Sequence, residues 1–451
     1  MRLNVAVKNG VGRSKPLTAE RVVNMYAEKS PAGAIANVNL VGVDGLVTFA
    51  SVGTGIRGMW KFADKLFVVS GGRLYQIDTD GSSTDVGAIA GSGLVMMADN
   101  GTQLCIVANP YGYIYTTADG LVEITDADFP GATSVAFLDG YFIFTDPDTQ
   151  EFFISALYDG ETYDALDFAS AESAPDNLIR VFVDHREVWL FGTDSTEVWY
   201  NAGNADFPFA RIEGALVERG LGAVASVAKV DNSIYWLDNV GIVRRADKGY
   251  APTRISTHEI ENAVSRGTMA DCSALTYVKE GHEFYALTVP EVGTYVYDAA
   301  TQAWHERSSQ QGVWRVSSYV SCFGKHLFGD STHGKVYELT GYVDAENELV
   351  AELVFPPIQA DGDRFRLHSV ELDMEAGVGG STDPRVMLCT SKDGKTWSNE
   401  DWTGFGKLGE YENRALWTRL GQYNKCHLKF RISDPVKRAV YTAYASMTKD
   451  D

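Results

Sequence analysis

The chain has 451 residues, 60 acidic against 39 basic, a formal charge of −21, and 44 glycines within a composition that is 45% hydrophobic and 12% aromatic. That balance argues against a surface that grips nucleic acid through its phosphates, and it suits a glycine-punctuated all-β protein with ample core material. Five widely spaced cysteines (105, 272, 322, 389 and 426) form no Cys-x-x-Cys pair, so neither a zinc site nor a disulfide framework is expected, and a reducing cytoplasm is.

At the start of the chain, Met1 to Lys8 lacks the apolar core of an export signal. No apolar run approaches the ~18 residues that a membrane helix needs, so no stable membrane association is expected. Residues 1–54 read as a lead-in, with a strand over Arg21 to Glu28 and a turn over Gly42 to Leu46. A strand from this lead-in is expected to complete the last blade of a ring, because an open sheet edge leaves backbone groups unpaired.

The organising stretch is Lys65 to Ile77, two apolar runs joined by Gly71-Gly72, a pair that tolerates the positive φ of a tight hairpin. Six further hairpins repeat it, and their second-strand landmarks are Tyr75, Tyr115, Phe153, Trp199, Arg244, Tyr297 and Tyr337. Spacings of 38 to 53 residues predict a β-propeller over residues 55–342, one four-stranded blade per repeat. The count is seven blades, with six still compatible. Thr257 to Arg266 is the one clearly helical stretch, an insertion between blades. After a polar boundary at 340–348, residues 350–451 change to alternating strands such as Ser369 to Glu375 and Cys426 to Ile432, which predicts a small C-terminal β-sandwich.

No catalytic signature emerges. Acidic clusters at Asp146/Asp148, Asp159 to Asp167 and Glu172/Asp176 invite a glycosidase reading, but a chain with 60 acids produces such clusters by composition. Ser391 to Trp397 resembles the Asp-box of sialidases with one residue missing, occurs once, and reads as a hairpin turn. Asp78 to Ser82 is a fragment of calcium-loop spacing and also reads as a turn. No catalytic, cofactor or metal residues are assigned. Basic residues do gather in the C-terminal domain. Solvated strand faces explain them most simply, and the functional alternative is a docking surface for an acidic neighbour, with Arg414, Arg419, Lys429 and Arg431 as candidates.

Several stretches in order resemble the tail hub, or packaged-DNA stabilisation, proteins of short-tailed bacteriophages, also termed tail accessory factors or nozzles. They are Arg21 to Tyr26, Gly58 to Gly93, Asp164 to Asp176 followed by Leu190 to Trp199, and Ser391 to Trp397 followed by Arg414 to Gly421. The resemblance implies a non-enzymatic virion protein, made in the host cytoplasm and placed in the tail. It implies a homo-hexameric ring below the portal and adaptor that extends the DNA channel, helps retain the packaged genome and supports ejection. A tail needle or plug and fibres or spikes would be outer neighbours, and double-stranded DNA would pass without specific binding. The contrasting readings are a glycan-binding or glycan-hydrolysing propeller, which needs carboxylates and aromatics at its axis, and a bacterial interaction propeller without a ring.

Overall fold

In the hairpin at Lys65–Ser70 and Arg73–Ile77, Leu66 to Ser70 are all buried, because a strand inside a blade is covered on both faces. Gly71 turns the chain at φ +54, and a Cβ there would meet Thr54 Oγ1 at 2.8 Å. A computed structural model of the chain describes residues 1–3, 9–11, 14–246, 250–379 and 382–449. Each of the three segments drawn from sequence therefore includes a few positions outside the described residues, part of Met1 to Lys8 among them.

The hairpin belongs to a four-stranded antiparallel sheet with Ile56–Phe62 inside and Ser83–Ala88 outside. The motif recurs from Met96–Asp99 to Gly120–Glu123, from Ser134–Leu138 to Phe168–Ser170, from Leu178–Asp184 to Phe209–Val217, from Ala228–Val230 to Pro252–Arg254, and from Ser273–Lys279 to Ala303–Arg307. The last blade takes Val316–Cys322, Lys325–Asp330 and Lys335–Leu339 from the end of the propeller and Leu46–Ser51 from the lead-in. Leu46 lies opposite Leu339 and Ser51 opposite Lys335. That makes seven blades among the described residues, and all seven sequence landmarks fall on the third strand of a blade. The helix His258–Val264 links blades five and six, with Ile260, Ala263 and Val264 buried.

The propeller core is a ring of seams. Phe67, Leu74, Ile106 and Tyr113 pack blade one on blade two, Phe142, Phe144 and Cys105 pack two on three, and the pattern continues round to Ala50, Ile56 and Leu327 between seven and one. A second, separate core fills the sandwich, around Phe355, Phe365, Trp417 and Phe430. The first sandwich sheet contains Met25–Lys29, Val38–Gly42, Ala439–Lys449, Phe365–Met374 and Ala415–Tyr423. The second contains Ala19–Val23, Ala351–Val354, Lys425–Ile432, Arg385–Ser391 and Asp401–Gly404, and it is continuous with blade six through Ala303–Arg307. The lead-in is thus shared out: its first strands complete the sandwich and its last completes the propeller.

Candidate docking surface and domain junction

The four candidate docking residues fall on two sheets. Arg414 precedes Ala415–Tyr423 and places Nε 2.7 Å from the Glu371 carboxylate. That hydrogen bond lowers the Glu371 carboxyl and raises the Arg414 guanidinium. Arg419 is exposed at φ +61, where the pairing with Phe365–Met374 shifts register, and it makes no ion pair among the described residues. Lys429 and Arg431 lie on the second sheet, facing away from Cys426, Leu428, Phe430 and Ile432 in the core. Lys429 Nζ stands 4.6 Å over the Trp397 ring, and Arg431 Nη1 is 2.5 Å from Glu400 Oε1. The sandwich core separates the two pairs.

Arg431 is instead one rung of a charge ladder that crosses the domain junction. Its Nε lies 3.8 Å from Glu352, Glu352 is 3.2 Å from Arg21 Nη1, and Arg21 Nη2 is 2.6 Å from Glu306 on the outer strand of blade six. Burial disfavours the Arg21 charge, but the hydrogen bond and charge of Glu306, followed by Glu352, outweigh it and hold the guanidinium above its ordinary value. Asn9 Nδ2 donates to the same Glu306 at 2.8 Å.

Asn24 sits where the chain leaves one sandwich sheet for the other, at φ +54. Asparagine accepts that left-handed conformation more readily than most residues. Its Nδ2 donates to Ser308 O at 3.0 Å and Val350 O at 2.8 Å, and its Oδ1 accepts from Ser308 N at 3.0 Å. Its backbone N–H donates to Glu306 O at 2.9 Å. One buried side chain therefore ties the lead-in, blade six and the interdomain linker together. Sequence reading took Arg21 to Glu28 as one strand and missed this role, for the structure breaks it at Asn24 into Ala19–Val23 and Met25–Lys29. The available signal was a polar Asn between Val23 and Met25 in an otherwise apolar run.

The propeller axis holds a cavity of about 860 Å³ lined by the inner strands. Trp60, Phe137, Phe182 and Tyr319 contribute aromatic rings, and Asp99 is the single carboxylate among the described lining residues. Its Oδ2 accepts from Trp60 Nε1 at 2.8 Å. In two of the acidic clusters singled out in sequence, carboxylates serve turns: Asp176 Oδ2 accepts from the backbone of Asp194 and Ser195 at 2.8 and 2.9 Å, and Asp159 Oδ1 accepts from Glu161 N at 2.9 Å. In the Asp-box-like turn, Asp393 Oδ1 accepts from Lys395 N and Thr396 N, both at 2.8 Å, which holds its carboxyl well below the usual range. Asp80 closes its own turn by accepting from Ser82 N at 2.9 Å. All five cysteines are buried and unpaired.

A ring of glycine-turned blades closed by its own lead-in, with a ladder of ion pairs crossing to a second domain, defines a scaffold class: a β-propeller joined to a β-sandwich. Two family models account for the chain in that order. The one described as Bacteriophage P22 Gp10, beta-propeller, matches residues 5–344, and the one described as Bacteriophage P22 Gp10, beta-sandwich, matches residues 351–448. The chain belongs to this bacteriophage P22 Gp10 family. It is similar to the tail hub protein gp10 of Salmonella phage P22, with 24% identity over 396 residues covering 80% of each chain. Among solved structures it is similar to the Neurospora crassa Pan2 WD40 domain, with 8% identity, 67% and 98% coverage and a TM-score of 0.46. It is also similar to the computationally designed Ika8 protein, with 12% identity, 66% and 99% coverage and a TM-score of 0.43. Likeness at these scores carries no functional argument.

Proposed function

We propose that this protein is a structural subunit of a phage tail hub, or nozzle, that forms a homo-hexameric ring below the portal and adaptor. There it extends the DNA channel, helps retain the packaged genome and supports ejection, with a needle or plug and fibres or spikes as outer neighbours. The observation that carries this reading is the match to both P22 Gp10 domains in order along nearly the whole chain. A rigid junction supports it, because a sheet continuous from blade six into the sandwich lets one subunit hold two neighbours in fixed relation. A formal charge of −21 suits a wall past which DNA slides without specific binding. A glycosidase at the axis would need two carboxyl groups flanking a sugar, and Asp99 stands alone in the described wall. The virion tail is the proposed location.

For docking, the geometry favours Arg419, which has no ionic partner among the described residues, over Arg414, Lys429 and Arg431, which are engaged by Glu371, Trp397 and Glu400. The test is to mix the purified protein with portal–adaptor particles from the same genome and average electron micrographs. Six-fold density below the adaptor is the expected result. Intact particles without added density overturn the hub reading.

A further inference from the structure

The axial cavity is charged opposite to the chain as a whole. Arg57, Arg180 and Lys229 line it against the single carboxylate of Asp99, in a protein whose formal charge is −21. Most of these groups are already answered. Lys229 pairs with Asp184, and Asp99 accepts from Trp60. Arg57 donates to backbone carbonyls, Gly93 O at 2.7 Å, Gly71 O at 2.9 Å and Ala90 O at 3.1 Å. Arg180 is the exception. It donates from Nη1 to Val224 O at 2.6 Å, while its Nε is buried without a hydrogen-bond partner. Its guanidinium lies 5.6 Å from the Phe182 ring, and it makes no ion pair among the described residues. Burial lowers Arg180 to about 10, and the only titratable group acting against that is Tyr285, a buried phenol and not an acid.

The backbone is shaped at the same place. In the inner strands of blades one, four and seven the pairing skips one residue near the start, Arg57, Ile179 and Ser317 respectively. Such bulges re-aim neighbouring side chains and are frequent beside functional sites. A second cavity of about 470 Å³ adjoins the first, shares Arg57, Gly93 and Leu94 with it and is also lined by Ile179. Its one carboxylate among the described lining residues, Asp148, is exposed. Elsewhere the axial wall offers the partly exposed rings of Trp60, Phe137, Phe182 and Tyr319 and the hydroxyls of Ser273 and Thr276. A volume of about 860 Å³ lies in the range of small-molecule sites, which are largely apolar or aromatic with a few placed polar groups.

We propose that the propeller axis binds a small ring-bearing oxyanion, a phosphate or carboxylate carried on a sugar or nucleoside, with its charged group at Arg180 and its ring against the aromatic wall. A guanidinium presents a planar fork of donors that matches either group. Folding has left the Arg180 charge desolvated and without a counter-charge, and a bound anion supplies one. The low dielectric of an enclosed site strengthens that attraction relative to the same contact on the outer surface. The ligand is held and not cleaved, because Asp99 has no second carboxylate beside it. This goes beyond the tail-hub reading. It rests on the cavity and Arg180, and its test needs no portal particle, so the two can fail separately.

The test is titration calorimetry of the full chain with glucose phosphate, glucuronate, uridine monophosphate, inorganic phosphate and uncharged glucose. At least one of the three ring-bearing acids is expected to bind with a dissociation constant below about 1 mM, and ~10-fold or more tightly than inorganic phosphate or glucose. The two sugar acids against the nucleotide then identify the source of the ring. Arg180→Met is expected to weaken that binding by ~10-fold or more while the melting transition persists, since it removes an unpaired cation. Ser317→Phe, which narrows the cavity from blade seven, is expected to abolish binding and keeps the test decisive if Arg180→Met does not fold. Arg366→Gln, an exposed sandwich arginine, is expected to bind as the wild type does. Absence of heat with all three ring-bearing acids up to about 10 mM overturns the proposal. So does inorganic phosphate binding as tightly as they do, or a folded Arg180→Met that binds like the wild type.

Discussion

The seams between blades and the junction between domains solve the same problem with different chemistry. Each seam buries apolar side chains of adjacent repeats, so its stabilisation is non-directional and shared among many contacts. The junction relies on a few directional groups, Asn24, Arg21, Glu306, Glu352 and Arg431, and the contacts of Arg21 and Asn24 reach partners hundreds of residues away in sequence. The junction concentrates its dependence on single side chains, which fits a contact that must set an angle between two bodies.

The largest expected break is removal of residues 1–54. It deletes the strand that closes blade seven together with strands from both sandwich sheets, so the shortened chain should lose its cooperative melting transition. A transition like that of the intact protein by calorimetry would refute this. Next is Asn24→Leu, which strips partners from Ser308 and Val350 and places a branched side chain at φ +54. A loss of roughly 3 kcal/mol is expected in urea unfolding, against about 0.5 kcal/mol for Ser30→Ala at the surface.

Acid should act on the same corner. Burial, then the charge of Arg307, lowers buried His305 to about 3. An unfolded histidine titrates near about 6.5, so the unfolded chain takes up this proton first, and the stability from keeping His305 neutral declines as pH falls from about 6.5 towards 3. His282 opposes it: its hydrogen bond to Asp298 raises its value, so its contribution is full in acid and lost as pH rises through the raised value. His305→Gln should flatten the acid limb between about pH 6.5 and 4.5 by roughly 2 kcal/mol. A limb identical to that of the wild type would remove His305 from the account.

Two smaller effects sharpen the comparison. Arg21→Met leaves Glu306 and Glu352 without their shared cation, and because the Arg21 side chain is 39% exposed, solvent screening limits the loss to about 1–2 kcal/mol. Arg438 is a buried sandwich cation whose Nε and Nη1 have no hydrogen-bond partner, and burial lowers it to about 10. Replacing such a charge by an apolar chain of similar length is commonly stabilising, so Arg438→Met should raise stability by about 1 kcal/mol. A fall in melting temperature would show that its bond to Asp434 O, 2.8 Å long, matters more than its desolvation.

Much of the propeller was legible because its information is local. A hairpin needs two apolar runs and a turn residue able to adopt positive φ, and all three sit within about a dozen neighbouring positions, as in Lys65 to Ile77. The repeat then exposes the architecture, since each of the seven landmarks marks the third strand of its blade. Arg414, Arg419, Lys429 and Arg431 looked alike as basic residues near the end of the chain, yet strand alternation and sheet assignment send them to different surfaces and engage three of them internally. Sequence alone determined the turns, the alternation and the repeat, because these depend on backbone preference and short-range burial. Only the tertiary structure decided that Leu46–Ser51 closes blade seven, that blade six runs on into the sandwich and that Asn24 joins them, because pairing across such sequence separations depends on which edges remain free once the local sheets have formed.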